Sequence, residues 1–278
     1  MLRSEKASDA TSAWVISDEK PELFMRPFGW CVEDLEVNFE QACRPELETH
    51  ILACCMHNRE GKTPDRGFFW TLEIGKRTEY LLTLATLPNG SQINSNLRCS
   101  NSACQQQMEV VIPLLELTRL QQQSETPNTE MMIGKEHFSI RKPTGNDQLA
   151  WLEQPFSDET SATLAIVQTL LPDEQKSAFK QVCSQEEDWI QRFDRAMEAS
   201  DPLVNFSLQV NCPYCETENL QDFDLGAWAI LQLYGVQQHL LATVHRLASY
   251  YHWSESEIFA IPPWRRLRYL ALIEREGN

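Results

Sequence analysis

The sequence predicts an α+β fold: a helical body with two zinc-knuckle-type β-hairpins and a C-terminal helical segment. Three observations predict it. Alternating segments flank each of two cysteine knots, CSNSAC at 99–104 and CPYC at 212–215. Apolar residues recur at helical spacing through much of the rest. Hydrophobic content of 42%, with eight Trp and twelve Phe in 278 residues, is enough for a packed core and excludes a wholly disordered chain.

Residues 1–30 hold three early breakers, Pro21, Pro27 and Gly29, and no sustained period, which predicts an extended or loosely docked arm. Residues 33–58 read as helix broken near Pro45, with Leu47, Ile51, Leu52 and Cys55 on one stripe. A second helix is expected over 76–87, where Tyr80, Leu81, Leu84 and Leu87 precede a Pro88-Asn89-Gly90 stop. Strands are expected over 91–98 and 107–113 around the first knot, then a polar loop over 121–129 and a strand over 136–142. From 146 to 200 the chain reads as helical and acidic.

The second knot lies between the strand segments LVNFSLQV (203–210) and LQDFDL. A long helix follows over 226–251, with Ile230, Leu233, Leu240, Val244, Leu247 and Tyr251 on one face and Gln232, His239, Thr243 and Arg246 on another. Ser254 and Glu257 have capping-box spacing, and Pro262-Pro263 suit the start of a last helix. The chain thus divides into an arm (1–30), helices plus the first cysteine hairpin (31–145), and an acidic helical segment, second hairpin and terminal helices (146–278). The last two are expected to pack as one unit.

Forty Asp and Glu against 24 Lys and Arg leave a net charge of −16. That excess disfavours a nucleic-acid partner, whose phosphates need clustered cations, and an anionic membrane surface. Half of it lies in 147–201, where twelve acidic residues face four basic ones; this reads as a solvated helix face or as a docking surface for a basic partner. The uncharged stretch 225–244 is interrupted by Gln232, Gln237, Gln238 and His239, so no membrane span is expected. The polar N-terminus lacks the apolar core of a secretory signal, and nine cysteines without one predict a reducing, cytoplasmic setting.

Cys212 and Cys215, two residues apart at a hairpin tip, can aim two thiolates at one ion. Cys99 and Cys104, with four intervening residues, supply the obvious second pair for a four-thiolate structural zinc site. The alternatives are a redox dithiol, for which no βαβ pattern is present, and a metal-free relic of such a site. Cys31, Cys43, Cys54, Cys55 and Cys183 lack ligand spacing, and Cys54-Cys55 read as core. No phosphate-cradling loop, HExxH or nucleophile–base set occurs, and the scattered histidines read as solvated or hydrogen-bonded, so no enzyme is expected. The last helix is locally basic: Arg265, Arg268 and Arg275 fall near one face, and Trp264, Leu267 and Ala271 form an apolar stripe. It is either docked on the acidic body or a hook for a partner, in which case Trp264, Arg265, Arg266 and Arg268 are the candidate contacts.

Taken in order, IGKRTEYLLTLA, LRCSNSAC, FSIRKPTGNDQLAWLE, DPLVNFSLQVNCPYCETE and VHRLASYYHWSESEIFAIPPWRRLRYLALI resemble the baseplate hub assembly chaperone family of contractile-tailed phages and phage-derived contractile injection systems. The resemblance covers roughly residues 67–275; residues 1–66 match little of it. It is most specific in the HRLA…WRR…YL ending and the paired knuckles. Cys212 and Cys215 match the family's C-P-x-C form, whereas Cys99 and Cys104 carry two inserted residues. The resemblance implies a non-enzymatic assembly chaperone or adaptor whose partners are the baseplate hub or other tail proteins. It would act in the bacterial cytosol during assembly or remain in the assembled particle. Rival expectations are a permanent structural subunit of the particle and a zinc-binding nucleic-acid-binding regulator.

Overall fold

A computed structural model describes residues 14–16, 23–87, 91–124 and 128–276. Helices and small antiparallel hairpins alternate along it. Strands β1 (Trp14–Ile16), β2 (Leu23–Met25) and β3 (Met56–Asn58) form a three-stranded antiparallel sheet. Between β2 and β3 come a 3-10 turn (Val32–Glu36) and helix α1 (Arg44–Cys55). Helices α2 (Arg66–Thr71) and α3 (Ile74–Thr86) lead to the hairpin β4 (Gln92–Arg98) and β5 (Gln107–Pro113). Helix α4 (Leu114–Gln123) precedes the hairpin β6 (Asn128–Ile133) and β7 (Glu136–Arg141). Four helices follow: α5 (Gly145–Leu152), α6 (Glu159–Leu170), α7 (Asp173–Cys183) and α8 (Trp189–Ser200). The hairpin β8 (Ser207–Asn211) and β9 (Glu218–Asp222) then enters the long α9 (Leu225–Tyr251), and α10 (Glu255–Phe259) and α11 (Pro263–Glu276) end the fold.

The mixed α+β class is as expected, and so are both cysteine hairpins, the long helix and the Ser254–Glu257 capping box. Several local expectations are corrected. Residues 33–43 hold only the 3-10 turn and a loop, because the buried Asp34 carboxylate takes the N–H groups of Gly29, Trp30 and Cys31 and a bidentate pair from Arg26. Pro45 starts α1 rather than breaking it, since a first-turn residue needs no N–H. Residues 56–58 leave the helix as a strand. Where the segment expected as an extended or loosely docked arm over 1–30 is described, it runs as the extended strands β1 and β2, and Leu23 and Met25 are buried and pair with β3. Of the loop expected over 121–129, residues 121–123 fall in α4 and 128–129 in β6, while 125–127, like the expected Pro88-Asn89-Gly90 stop, lie outside the described residues; the strand expected from 203 begins only at Ser207. On α9, Thr243 faces inward, and so does Gln237, whose amide donates to the carbonyls of Asp34 (2.9 Å) and Val37 (2.8 Å).

Two main apolar cores and two minor clusters form among the described residues, and both main cores draw residues from either side of position 145. The larger gathers Ile51 and Leu52 of α1, Leu81 and Leu84 of α3, Ile93 and Ile112 of the first cysteine hairpin, and Ala229 and Leu233 of α9. The smaller joins Ile133, Phe138 and Ile140 to Val167, Phe179, Trp189 and Phe193, with Phe138–Phe179 and Phe179–Trp189 meeting edge to face. No helix among the described residues is long and apolar enough to cross a membrane.

Buried polar links lock these elements in register. Arg77 of α3 is fully buried and donates to the carbonyls of Pro45 (2.7 Å) and Phe69 (2.9 Å), with Glu48 at 3.4 Å. Glu48 also accepts from Arg44 (2.8 Å), which forks onto Asp224, the N-cap of α9. The relay Arg77–Glu48–Arg44–Asp224 therefore fixes α3, α1 and the start of α9 together. Arg77 and Glu48 are buried, and a buried charge left without its partner is costly, whereas the Arg44–Asp224 fork at the other end is solvent-exposed and holds more weakly. Asp201, just after α8, accepts from the Gly75 N–H (3.0 Å) in the first turn of α3 and from Gln121 (3.2 Å). Burial pushes its carboxyl up.

A Cβ on Gly75 would lie 1.7 Å from Asp201 Oδ1. Gly75→Ala is therefore expected to lower stability by about 2–4 kcal/mol, although alanine is intrinsically the better helix former by about 1 kcal/mol. Chemical denaturation checks this; an unchanged or raised midpoint would contradict the close approach.

Candidate metal centre

The two cysteine hairpins grow from neighbouring helix ends. The C-terminal end of α3 leads to β4, and β9 leads into the N-terminal end of α9, which packs on α3. Trp228 of α9 donates its indole N–H to the Asn94 carbonyl of β4 (3.3 Å), tying the second hairpin's helix to the first hairpin.

Both tips are built alike. In the first, Arg98 pairs with Gln107 and the Cys99 N–H donates to the Gln106 carbonyl (2.9 Å). In the second, Asn211 pairs with Glu218 and the Cys212 N–H donates to the Thr217 carbonyl (2.9 Å). The residue after the second cysteine is left-handed in each, Gln105 at φ 50° and Glu216 at φ 59°. That strained turn lets the next carbonyl reach back to the first cysteine. An N–H four residues on closes each turn, Gln105 to Asn101 (3.0 Å) and Glu216 to Cys212 (2.8 Å). Asn101 thus stands where Cys212 stands in the tighter knuckle, and Cys99 lies two residues ahead of it, with Ser100 between them.

These tips bring Cys99, Cys104, Cys212 and Cys215 together, with all four Sγ atoms within 4.8 Å of one another. The closest pairs cross between hairpins: Cys99–Cys215 at 3.6 Å and Cys104–Cys212 at 3.8 Å. A tetrahedral zinc with Zn–S of about 2.3 Å requires S–S edges of about 3.8 Å. All four thiols are free, Cys99 and Cys212 are buried, and Leu97, Met108, Val110, Leu208, Val210 and Phe223 pack around the cluster.

The electrostatics of the bare thiols are uneven. The Thr217 hydroxyl and N–H pull Cys215 down to about 6. Burial raises Cys99. The Gln106 N–H pulls Cys104 down, but burial and the neighbouring sulfurs push it up to about 12. Four thiolates so close together repel unless a cation lies among them, and a divalent ion reverses the balance by deprotonating its ligands. Four sulfurs with no carboxylate or imidazole make a soft, closed donor set. Such a set suits zinc in a structural role and leaves no coordination position open for substrate.

Three side chains that the spacing of the cysteines does not reveal hold the hairpins together. The Asn101 amide donates to Thr217 Oγ1 (3.1 Å) and faces Cys215 Sγ at 3.8 Å. Asn219, 2% exposed, accepts from the Ser100 N–H (2.6 Å) and donates to the Thr217 carbonyl (2.7 Å). Asn101 lies inside the polar knot, where it reads as a turn residue. Asn219 lies within a strand and carries no local signal.

The other candidate residues lie apart from this centre, on α11. Trp264 is 60% exposed, with the Arg268 guanidinium 5.9 Å from its ring centre, and Arg265 is exposed. Arg266 is corrected as a surface contact: it is 3% exposed and stacked over Phe259 at 5.0 Å, because it lies on the face of α11 that packs inward. Of the cysteines without ligand spacing, Cys55 is fully buried and Cys54 half-buried. His252 caps α9 in a left-handed conformation.

Asn219→Ala is expected to leave the Ser100 N–H unpaired, and to take one of two donors from the Thr217 carbonyl, costing about 1–3 kcal/mol of stability. It should also weaken zinc retention against a chelator by about 10–100-fold, as loss of a ligand-supporting hydrogen bond does. Equal zinc release from variant and parent would contradict the supporting role. No family model, curated protein or solved structure matches this chain, so the reading of the centre rests on its geometry and donor chemistry.

Proposed function

We propose that the chain is a non-enzymatic assembly chaperone or adaptor for the baseplate hub of a phage tail or phage-like contractile injection system. Cys99, Cys104, Cys212 and Cys215 hold one structural zinc ion that staples its two hairpins. The observation that carries the staple is the convergence of four sulfurs within 4.8 Å from tips more than a hundred residues apart. The tail assignment rests on the resemblance of residues 67–275, above all the VHRLASYYHWSESEIFAIPPWRRLRYL ending.

Chemistry supports a binding role. A closed four-sulfur site supplies rigidity rather than a Lewis acid open to substrate. With the metal in place, β4–β5 and β8–β9 become one scaffold carrying the ends of α3, α4 and α9. The charge of −16, half of it in 147–201, suits a partner whose surface facing that segment is basic, and opposes the nucleic-acid-binding regulator.

Cys212→Ser should lose the zinc and lower the thermal midpoint by roughly 10 °C, because structural zinc contributes directly to folding. Unchanged metal content and midpoint would overturn the staple. Co-expression with hub proteins of a tail gene cluster tests the role itself. The expected result is a hub protein that stays soluble only with this chain, and mature particles that lack it. Finding the chain in stoichiometric amounts in purified particles would instead establish a permanent subunit.

A further inference from the structure

The C-terminal helix α11 is fixed on one side and open on the other. Its inward face sets Leu270 against Leu247 and Ile258, and Tyr269 against the stacked pair Tyr251–Trp253. At 100° per residue, Trp264, Leu267, Arg268, Ala271, Leu272 and Arg275 fall on the opposite arc with Arg265 at its border. Trp264, Leu267 and Leu272 are 60%, 56% and 46% exposed. Among the described residues, neither Arg265 nor Arg268 forms an ion pair, in a chain with 40 acidic residues. Arg26, Arg44, Arg141, Arg192 and Arg246 all do.

We infer that this outward face of α11 docks an acidic amphipathic segment of a protein partner, with its apolar residues on Trp264 and Leu267 and its carboxylates on Arg265 and Arg268. The inference rests on the reading of the chain as a protein-binding adaptor and names the chemistry of what is bound. An apolar segment without acids would desolvate two guanidinium groups and leave them unpaired, and a basic segment would be repelled. Exposed Trp and Arg held by a rigid helix are the residues that dominate interface energetics, and the Arg268–Trp264 contact orders both before binding. The face runs about 16 Å from Trp264 to Arg275, three helical turns of contact. A separate shallow groove, lined by His245, Arg246, Ser249, Tyr250 and Ile273, lies at the seam between α9 and α11.

The test uses the full chain and a fluorescein-labelled peptide of about 18 residues, with leucines at helical spacing and glutamates on the flanks, against its lysine counterpart. Anisotropy should show the glutamate peptide binding at least about tenfold more tightly, and weakening between about 50 and about 500 mM salt. Trp264→Ala and the double variant R265E/R268E should each lose about tenfold. These side chains are exposed, so an unchanged thermal midpoint and zinc content separate this result from any failure of the cysteine staple. Equal binding of the two peptides, or binding unaffected by the variants, overturns the inference. So does a face that ignores the glutamate peptide but binds duplex DNA, or one that drives self-association lost in the double variant.

Discussion

Four thiols packed within 4.8 Å of one another can ionise together only around a cation, and much of the molecule is arranged to bring them there. Two hairpins far apart in sequence have to meet tip to tip. That requires the end of α3 and the start of α9 to be neighbours, which the large apolar core enforces, while the Arg77–Glu48–Arg44–Asp224 relay ties the first turn of α3 to α1 and the start of α9. The sulfurs are the last link in this chain of constraints. The Asn101 and Asn219 hydrogen bonds pre-align the tips, so a metal ion would have little chain entropy left to remove.

The two knuckles share one solution to a geometric problem. A hairpin tip presenting two sulfurs on one side must turn its chain sharply after the second cysteine, and both do so through a left-handed residue that is not glycine. The two extra residues in the first tip do not disturb this turn. They are accommodated ahead of it, and the spare length places the Asn101 amide against Thr217 of the other hairpin. An insertion that loosens the cysteine spacing thereby adds a contact between the hairpins.

Where local chemistry decides the structure, the sequence was legible. The C-x2-C knot, the alternating QMEVVIP and EHFSIRK segments, the Ser254–Glu257 box and the long helix before Trp253 are all found where periodicity and capping place them. Where distant groups decide, it was not. The 33–43 segment is kept from forming a full helix by a single buried carboxylate, Asp34, whose hold on Arg26 and three N–H groups has no sequence signature. Gln237 is polar yet inward, because the Asp34 and Val37 carbonyls across the core accept from its amide, and Thr243 is buried on the same helix. The terminal helix shows Trp264 and Leu267 to solvent and turns Tyr269, Leu270 and Ile273 inward together with Arg266, whose burial over Phe259 the pattern of residues alone does not predict. At the candidate centre the four sulfurs were readable from spacing, and the asparagines that align them were not.

X-ray absorption at the zinc edge, on protein purified without added metal, tests the central claim most directly. The account predicts one zinc per chain with four sulfur neighbours at about 2.3 Å. Absence of metal, or a first shell containing nitrogen or oxygen in place of sulfur, would contradict it.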